Sequence, residues 1–267
     1  MKGIPHRHAV ITGASSGIGL AIAETLLTSG VRVTALCRNP PPLNQSGATH
    51  IPVDLTDRAA LESVLARLES DLPDLWINNA GFGLLGSLEK TPPERGEELL
   101  QLLLHIPIIC SLWFARRLRE SPPPSPYSAC LVQVSSLACE LPIPWMPYYN
   151  TAKAGLSGFA DSLLLDRDLP CRVIDFRPGD FNTPFVAKPG MATDDPALLV
   201  YRETLDRHHA AAPPPKVAAA SLARALRRKR SGIIRTGPFF QRAIAPLGVR
   251  FFPRKLLHAV IRRYYGQ

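Results

Sequence analysis

The sequence predicts an α/β fold, a doubly wound parallel sheet in a single domain. Three observations lead there. Short β-branched runs alternate with amphipathic helical patterns along most of the chain, which is how a parallel sheet covered by helices on both faces reads. The first such run turns through three glycines directly into a helix, as a phosphate-binding βα turn does. At 267 residues the chain is long enough to bury a full core without a second domain.

The elements follow in order. Val10-Ile11-Thr12 is the end of a first strand, closed by Gly13. Ile18, Ala21, Ile22 and Leu26 then repeat at helical spacing up to Gly30, a helix-stop residue. A second strand spans 31–37, followed by a loop with Pro40, Pro41 and Pro42. A third short strand spans 49–53, and 57–70 is a helix with Leu61, Val64, Leu65 and Leu68 on one face. A fourth strand spans 75–79. A long helix, 93–120, is interrupted by Pro107, and a proline-rich connector, 121–128, leads to a fifth strand at 129–135. A helix over 149–168 and a sixth strand over 171–176 complete the repeating part. The right-handedness of crossovers makes this a Rossmann-type sheet. We divide the chain into a core, 4–185, a segment at 186–215 expected to act as a substrate lid, and a stretch at 216–267. That last stretch carries a further helix, a last strand at 232–236 and a basic amphipathic tail. In the tail Leu256, Leu257, Val260, Ile261 and Tyr264 fall on one helical face.

Bulk chemistry narrows the function. The five cysteines are far apart, with no CxxC pair and no histidine at metal-ligand spacing, so reduced thiols and no metal are expected. The first strand begins too early to leave room for a signal peptide, and no apolar run is expected to reach membrane-span length. A cytoplasmic protein follows from these readings. The net charge is +9, and residues 224–263 contain many Lys and Arg and no acid. That block is a solvated basic surface, or else it meets an anionic membrane, an acidic carrier or nucleic acid. Nucleic acid is the least expected of these, because no reading module is recognisable.

The chemistry-bearing residues cluster in six short segments. Thr12-Gly-Ala-Ser-Ser-Gly-Ile-Gly19 bends the backbone at Gly13, Gly17 and Gly19, and Ser15 and Ser16 can cap the helix or bond a phosphate. Asp54 lies after the third strand, in VDLTD. Asn78-Asn79-Ala80-Gly81 closes the fourth strand. Ser136, past the fifth strand, can donate a hydrogen bond to a carbonyl as negative charge develops on it. Tyr149 and Lys153, four apart, share a helix face, and the cation there is expected to lower the phenol's pKa. Tyr148 is an adjacent competitor without that spacing. Arg177-Pro-Gly-Asp-Phe-Asn-Thr183 follows the sixth strand.

In order and spacing these segments resemble the short-chain dehydrogenase/reductase family, over residues 8 to about 185. The resemblance implies a Rossmann-type oxidoreductase using a nicotinamide dinucleotide. It implies that Ser136 orients the carbonyl, Tyr149 is the general acid or base, and Lys153 holds the nicotinamide ribose and tunes Tyr149. The implied cofactor residues are Gly13, Ser15, Ser16, Gly17, Ile18, Gly19, Arg38, Asp54, Leu55, Asn79, Ala80, Gly81, Tyr149, Lys153, Pro178, Gly179 and Thr183. Asp54 would bond the adenine amino group, and either Asn78 or Asn79 would pin the sheet. The second strand ends Leu36-Cys37-Arg38, with no acid for a ribose 2′-hydroxyl and an arginine fit for a 2′-phosphate, so NADP is favoured over NAD. The family also places an asparagine in the long helix, where it holds a water for proton relay. Here Leu103 takes that position if the helix is aligned on Pro107, or His105 if shifted by two.

Cys139 and Glu140 are expected to border the substrate. Pro142, Pro144, Trp145 and Met146 on one side, and Leu198, Leu199 and Tyr201 on the other, would make an apolar wall. The function expected is an NADP-dependent ketoreductase acting on a mainly apolar carbonyl or secondary alcohol, in a homodimer or homotetramer. The alternative is a weakly catalytic or non-catalytic NADP-binding sensor or scaffold, because the asparagine is missing.

Overall fold

The computed structural model describes residues 3–122, 128–186 and 196–265. Seven strands form one sheet, all parallel: β1 (His8–Thr12), β2 (Arg32–Cys37), β3 (Ala48–Pro52), β4 (Leu75–Asn78), β5 (Cys130–Val134), β6 (Arg172–Pro178) and β7 (Gly232–Thr236). Their order is β3-β2-β1-β4-β5-β6-β7. The chain reverses its direction of travel across the sheet between β1 and β4, and a crevice opens at the carboxyl ends of strands on either side of such a reversal.

Strand side chains alternate between two apolar cores. Ala9 and Ile11 face α1 (Gly17–Thr28) and α7 (Pro215–Arg227). Val10, Leu36, Trp76 and Leu131 face the other layer, built from α2 (Arg58–Arg67) and α4 (Ile106–Glu120). Trp76 lies 5.4 Å from Trp113 and 6.0 Å from Phe114, ring centre to ring centre, and locks α4 onto the sheet. A third core, with Leu99, Leu103, Tyr149, Leu198, Tyr201, Leu257 and Ile261, sits at the carboxyl end of the sheet. It joins α3 (Pro93–Leu100), α5 (Pro147–Leu165), α6 (Pro196–Ala211) and α9 (Arg254–Tyr264), with α8 (Ala245–Phe251) lying before α9.

The long helix of the sequence is two α-helices joined by a π-helical turn at Gln101–His105. Pro107 causes this, because it has no N–H to give. Ile106 N–H instead bonds the Gln101 carbonyl, five residues back. The expectation that no run reaches membrane-span length needs correcting. Pro93–Glu120 is long and apolar enough by length and composition, its most apolar 18-residue stretch having a mean hydropathy of 1.7. Gln101, His105 and Pro107 disguise the run in the sequence, and in the fold Ile106, Cys110, Phe114 and Leu118 are packed in the core. Of the segment read as a lid, 186–215, residues 187–195 lie outside the described residues, and the remainder is the end of the turn Pro184–Val186, helix α6 and the loop leading into α7.

Candidate active site

The glycine turn is fixed by two side chains. Thr12 Oγ1 accepts the N–H groups of Asn79 (2.9 Å) and Ala80 (3.0 Å). Asn79 Nδ2 returns bonds to the carbonyls of Thr12 and Gly13, each 3.0 Å. Gly19 sits under this clamp, and a Cβ on it would lie 2.3 Å from Gly13 O and 2.4 Å from Asn79 Nδ2. Gly13 and Gly17 hold φ of 69° and 58°, which L side chains rarely adopt. Ser16 precedes α1 without a side-chain cap bond, and no acid lies in the first turn, so that turn keeps N–H groups for an anion. The neighbouring Asn78 has a different task. It accepts from Trp76 Nε1 (2.8 Å) and donates to Gln133 Oε1 (3.0 Å) and the Pro107 carbonyl (3.2 Å), tying β4 to β5 and α4. Both asparagines therefore pin the sheet.

Every residue expected at the cofactor lines one cavity of about 570 Å³, which runs from Arg38 at one end to Phe252 and Val260 at the other. Arg38 is half exposed, with Nη1 3.9 Å from Asp54 Oδ2. Asp54 is held by the backbone N–H (3.0 Å) and hydroxyl (2.7 Å) of Thr56, and these bonds hold its carboxyl below the usual range. Cys37 is buried, its thiol turned to the Asn39 carbonyl. Across the cavity Thr183 stands over Gly17, whose Cβ would meet the threonine methyl at 3.4 Å.

Ser136, Tyr149 and Lys153 meet in the middle of this cavity, all three buried. Ser136 caps a short helical turn (Leu137–Cys139), its Oγ accepting from Ala138 N–H at 3.0 Å and hydrogen-bonded to the Tyr149 side chain. Lys153 Nζ donates to the Val134 carbonyl at 2.7 Å and lies 5.9 Å from the centre of the Tyr149 ring. The electrostatics differ from expectation. Burial pushes the Tyr149 phenol up to about 12, against the Ser136 hydrogen bond that favours ionisation, and the Asp180 and Cys139 side chains push it further up. Burial also pulls Lys153 down to about 8, opposed by the carboxylate of Asp175. Desolvation, rather than the lysine cation, sets the phenol in this state. Tyr148 is not a competitor: its ring fills the space over Gly96, where a Cβ would come within 2.3 Å.

Behind the three residues lies a buried ionic network. Asp175 accepts from the hydroxyls of Ser135 and Ser157 and from Arg177 Nε (2.7 Å). Arg177 also pairs with Glu140, which binds Arg235 (2.9 Å) as well. Glu140 thus faces the network and does not line the cavity. Burial raises the Cys139 thiol to about 11, so it is no thiolate nucleophile at neutral pH.

Leu103 packs against Gly81 without lining the cavity, to which this helical stretch gives Glu98 and Leu102. Leu103 is fully buried, and a Cβ on Gly81 would lie 3.2 Å from its Cγ. His105 is exposed, which removes it as the proton relay considered from the sequence. The apolar wall is also built from other residues than expected. Leu137, Leu141 and Ile143 supply one side, while Pro142 and Pro144 face a separate small pocket and Met146 packs beneath, near Gly83. Leu198 and Tyr201 are buried in the third core, Leu199 is exposed, and the opposite wall comes from Phe185 and the tail: Phe240, Ile244, Phe252, Leu257, Val260 and Ile261. The Phe185 ring stands edge-on to Tyr149 at 5.1 Å. The paired repeat Leu256/Leu257, Val260/Ile261 was the available signal for the tail's part.

The cavity carries a polar patch at Asp180, Gln241 and His209. Asp180 Oδ2 accepts from Gln241 Nε2 (2.5 Å), and its Oδ1 lies 4.0 Å from His209 Nε2. Burial lowers the His209 pKa and so favours the neutral imidazole, opposed by Asp180.

A family model described as short chain dehydrogenase matches residues 7–192. A probable short-chain type dehydrogenase/reductase VdlC of Helicobacter pylori is 32% identical over 167 residues, covering 59% of this chain and 58% of that protein. A 3-ketodihydrosphingosine reductase of Bacteroides thetaiotaomicron is 30% identical over 184 residues, covering 66% and 64%. The chain thus spans about three-fifths of the length of these two relatives. Among solved structures, a short chain dehydrogenase from Burkholderia cenocepacia in complex with NADP superposes with a TM-score of 0.74 at 20% identity, covering 97% of this chain and 99% of that one. A 4-hydroxyisoleucine dehydrogenase complexed with NADH gives 0.70 at 21% identity, covering 86% and 96%. At these identities the structures speak for the fold.

Proposed function

The chain belongs to the short-chain dehydrogenase family, and from that membership we propose that it is an NADP-dependent ketoreductase acting on a carbonyl compound with a long apolar chain. The observation that carries this reading is that Ser136, Tyr149 and Lys153 share one cavity with the Gly13–Gly19 turn. The turn fits a dinucleotide: glycines where a Cβ would collide, and a helix start with no carboxylate to repel a pyrophosphate. Arg38 and Asn39 would hold a 2′-phosphate, Asp54 the adenine, and Lys153 the nicotinamide ribose. When bound, the reduced nicotinamide supplies a hydride.

The chain's own part is proton and charge management. Ser136 donates a hydrogen bond to the substrate carbonyl oxygen as charge builds there. Tyr149 gives that oxygen its proton. A phenol near 12 stays protonated across the neutral range, which is the state that reduction needs and oxidation does not. Phe185 and the tail residues keep water from the phenol and accept the alkyl chain. Asp180 supplies an anionic spot among these apolar walls and suits a substrate with an amino group near its carbonyl. A relative named for a keto-dihydrosphingosine substrate agrees with both features.

Leu103 favours a second reading, a nucleotide sensor with little turnover, because a leucine cannot hold a relay water. One experiment separates the two. NADPH consumption is followed with long-chain 2-amino ketones, plain long-chain ketones and short ketones. Turnover that falls by at least about 100-fold in Tyr149→Phe, with NADPH affinity kept, supports the enzyme. Tight NADPH binding without turnover across the panel supports the sensor.

A further inference from the structure

The cavity's far end opens on an unusual surface. On α8 and α9, and on the residues flanking them, Ile244, Leu247, Phe251, Phe252, Leu256 and Val260 are all exposed; Phe251 is 73% accessible and Leu247 59%. Ile244, Phe252 and Val260 line the cavity as well, so its mouth and this apolar face are continuous. Helix α9 splits its apolar residues between two directions: Leu257 and Ile261 are buried, while Leu256 and Val260 look outward one turn apart. Around them stand Arg242, Arg254, Lys255, Arg262 and Arg263, all exposed, and no Asp or Glu occurs anywhere after Asp206.

We propose that this face docks on an anionic lipid bilayer, with the apolar side chains in the interface and the cations on the headgroups. The substrate then enters the cavity directly from the bilayer. The proposal rests on the apolar-substrate reading above for the second step only. Charge selects the occupant. A second copy of the same face would bring cations against cations, whereas acidic headgroups neutralise them. A nucleic acid would satisfy the arginines and leave exposed Leu, Ile and Phe side chains without a partner. Only a surface that is anionic outside and apolar within complements both components. Such an entry also spares a water-insoluble ketone any passage through solvent.

The test is co-sedimentation of the full chain with vesicles of phosphatidylcholine and phosphatidylserine in equal parts, and with phosphatidylcholine alone. The chain is expected to sediment with the acidic vesicles at low salt, less with the neutral ones, and to be released as salt rises. Each interfacial cation strengthens partition about fivefold, so K255Q/R262Q/R263Q weakens it about 100-fold. L247D/F251D abolishes it. Neither Leu247 nor Phe251 lines the cavity, so turnover of a short soluble ketone is unchanged in that variant, while turnover of a vesicle-embedded ketone falls. Failure to bind acidic vesicles at low salt overturns the proposal. So does binding that both variants retain, a dimer that L247D/F251D splits in light scattering, or capture by duplex DNA without vesicle binding. The salt dependence of the unmodified chain decides the matter even if a variant misfolds. Vesicle binding is scored without substrate, so a chain that binds but reduces nothing removes the ketoreductase reading and leaves this one standing.

Discussion

Replacing Lys153 with methionine should make the protein more stable and leave it without turnover. The ammonium is buried, and burial pulls its pKa from 10.5 to about 8. That gap corresponds to about 3 kcal/mol carried against the charged form below pH 8. Methionine keeps much of the stem's volume and removes the charge. It also forfeits the bond from Nζ to the Val134 carbonyl, worth about 1 kcal/mol net. The balance at neutral pH is about 2 kcal/mol in favour of Lys153→Met, or about 5 °C in melting temperature for a domain of this size. The sign depends on pH. The folded-state pKa is depressed, so the penalty is full below pH 8 and disappears as pH rises from 8 toward 10.5. The variant's advantage must shrink over that window. Tyr149 acts in the opposite sense: its raised pKa favours the fold below pH 10, and that gain is lost between 10 and about 12, but both proteins carry Tyr149. Scanning calorimetry of the cofactor-free proteins from about pH 7 to about pH 10 measures the difference. A variant that melts below the parent at neutral pH, or an advantage that does not change with pH, would refute the reasoning.

Other substitutions probe separate links. Arg38→Ser should lower kcat/KM for NADPH about 10-fold or more and change that for NADH little, because a charged hydrogen bond of about 1.5–3 kcal/mol is lost only to a 2′-phosphate; steady-state kinetics with both cofactors checks it. Tyr148→Phe should keep its turnover, since that ring packs on Gly96, while Tyr149→Phe loses it; the pair is compared in one NADPH assay. Asp180→Asn should reduce kcat/KM for a long-chain 2-amino ketone by about 10-fold or more and spare the ketone without the amine, the amount set by one charge-assisted contact; equal losses on both would mean that Asp180 serves only to hold Gln241 and His209.

How much of this could be read from the sequence depended on how local each constraint is. The glycine turn, NNAG and the Tyr149–Lys153 spacing are set within a few residues by backbone geometry, and the structure brings them together. The sheet followed because its strands are buried on both faces and read as apolar runs. The Leu103 or His105 ambiguity was not local. The π turn at Gln101–His105 spreads one turn over more residues, and a face count through Pro107 cannot include it. The apolar wall of the cavity is hidden from the sequence for a related reason. Proximity in sequence to Ser136 favoured Trp145 and Met146, whereas the cavity borrows Phe252 and Val260 from more than a hundred residues away. An amphipathic pattern shows that the tail has an apolar face and cannot name the neighbour that the face will cover. Glu140 reads as a pocket residue in the sequence because nothing near it in the chain announces Arg235 as its partner.

The reversal of strand order between β1 and β4 has a practical consequence. The long cavity straddles that seam, with Arg38 and the glycine turn on the β1–β2 side and Tyr149, Lys153 and Gly179 on the β5–β6 side. Across it the glycine turn is held by the side-chain bonds of Thr12 and Asn79. A dinucleotide lying along the cavity would be a rivet through both halves of the sheet. Its binding energy would then appear as resistance to unfolding, about 2.7 kcal/mol at a hundred times the dissociation constant. Melting curves with NADPH and NADH would rank the two cofactors before any substrate is found.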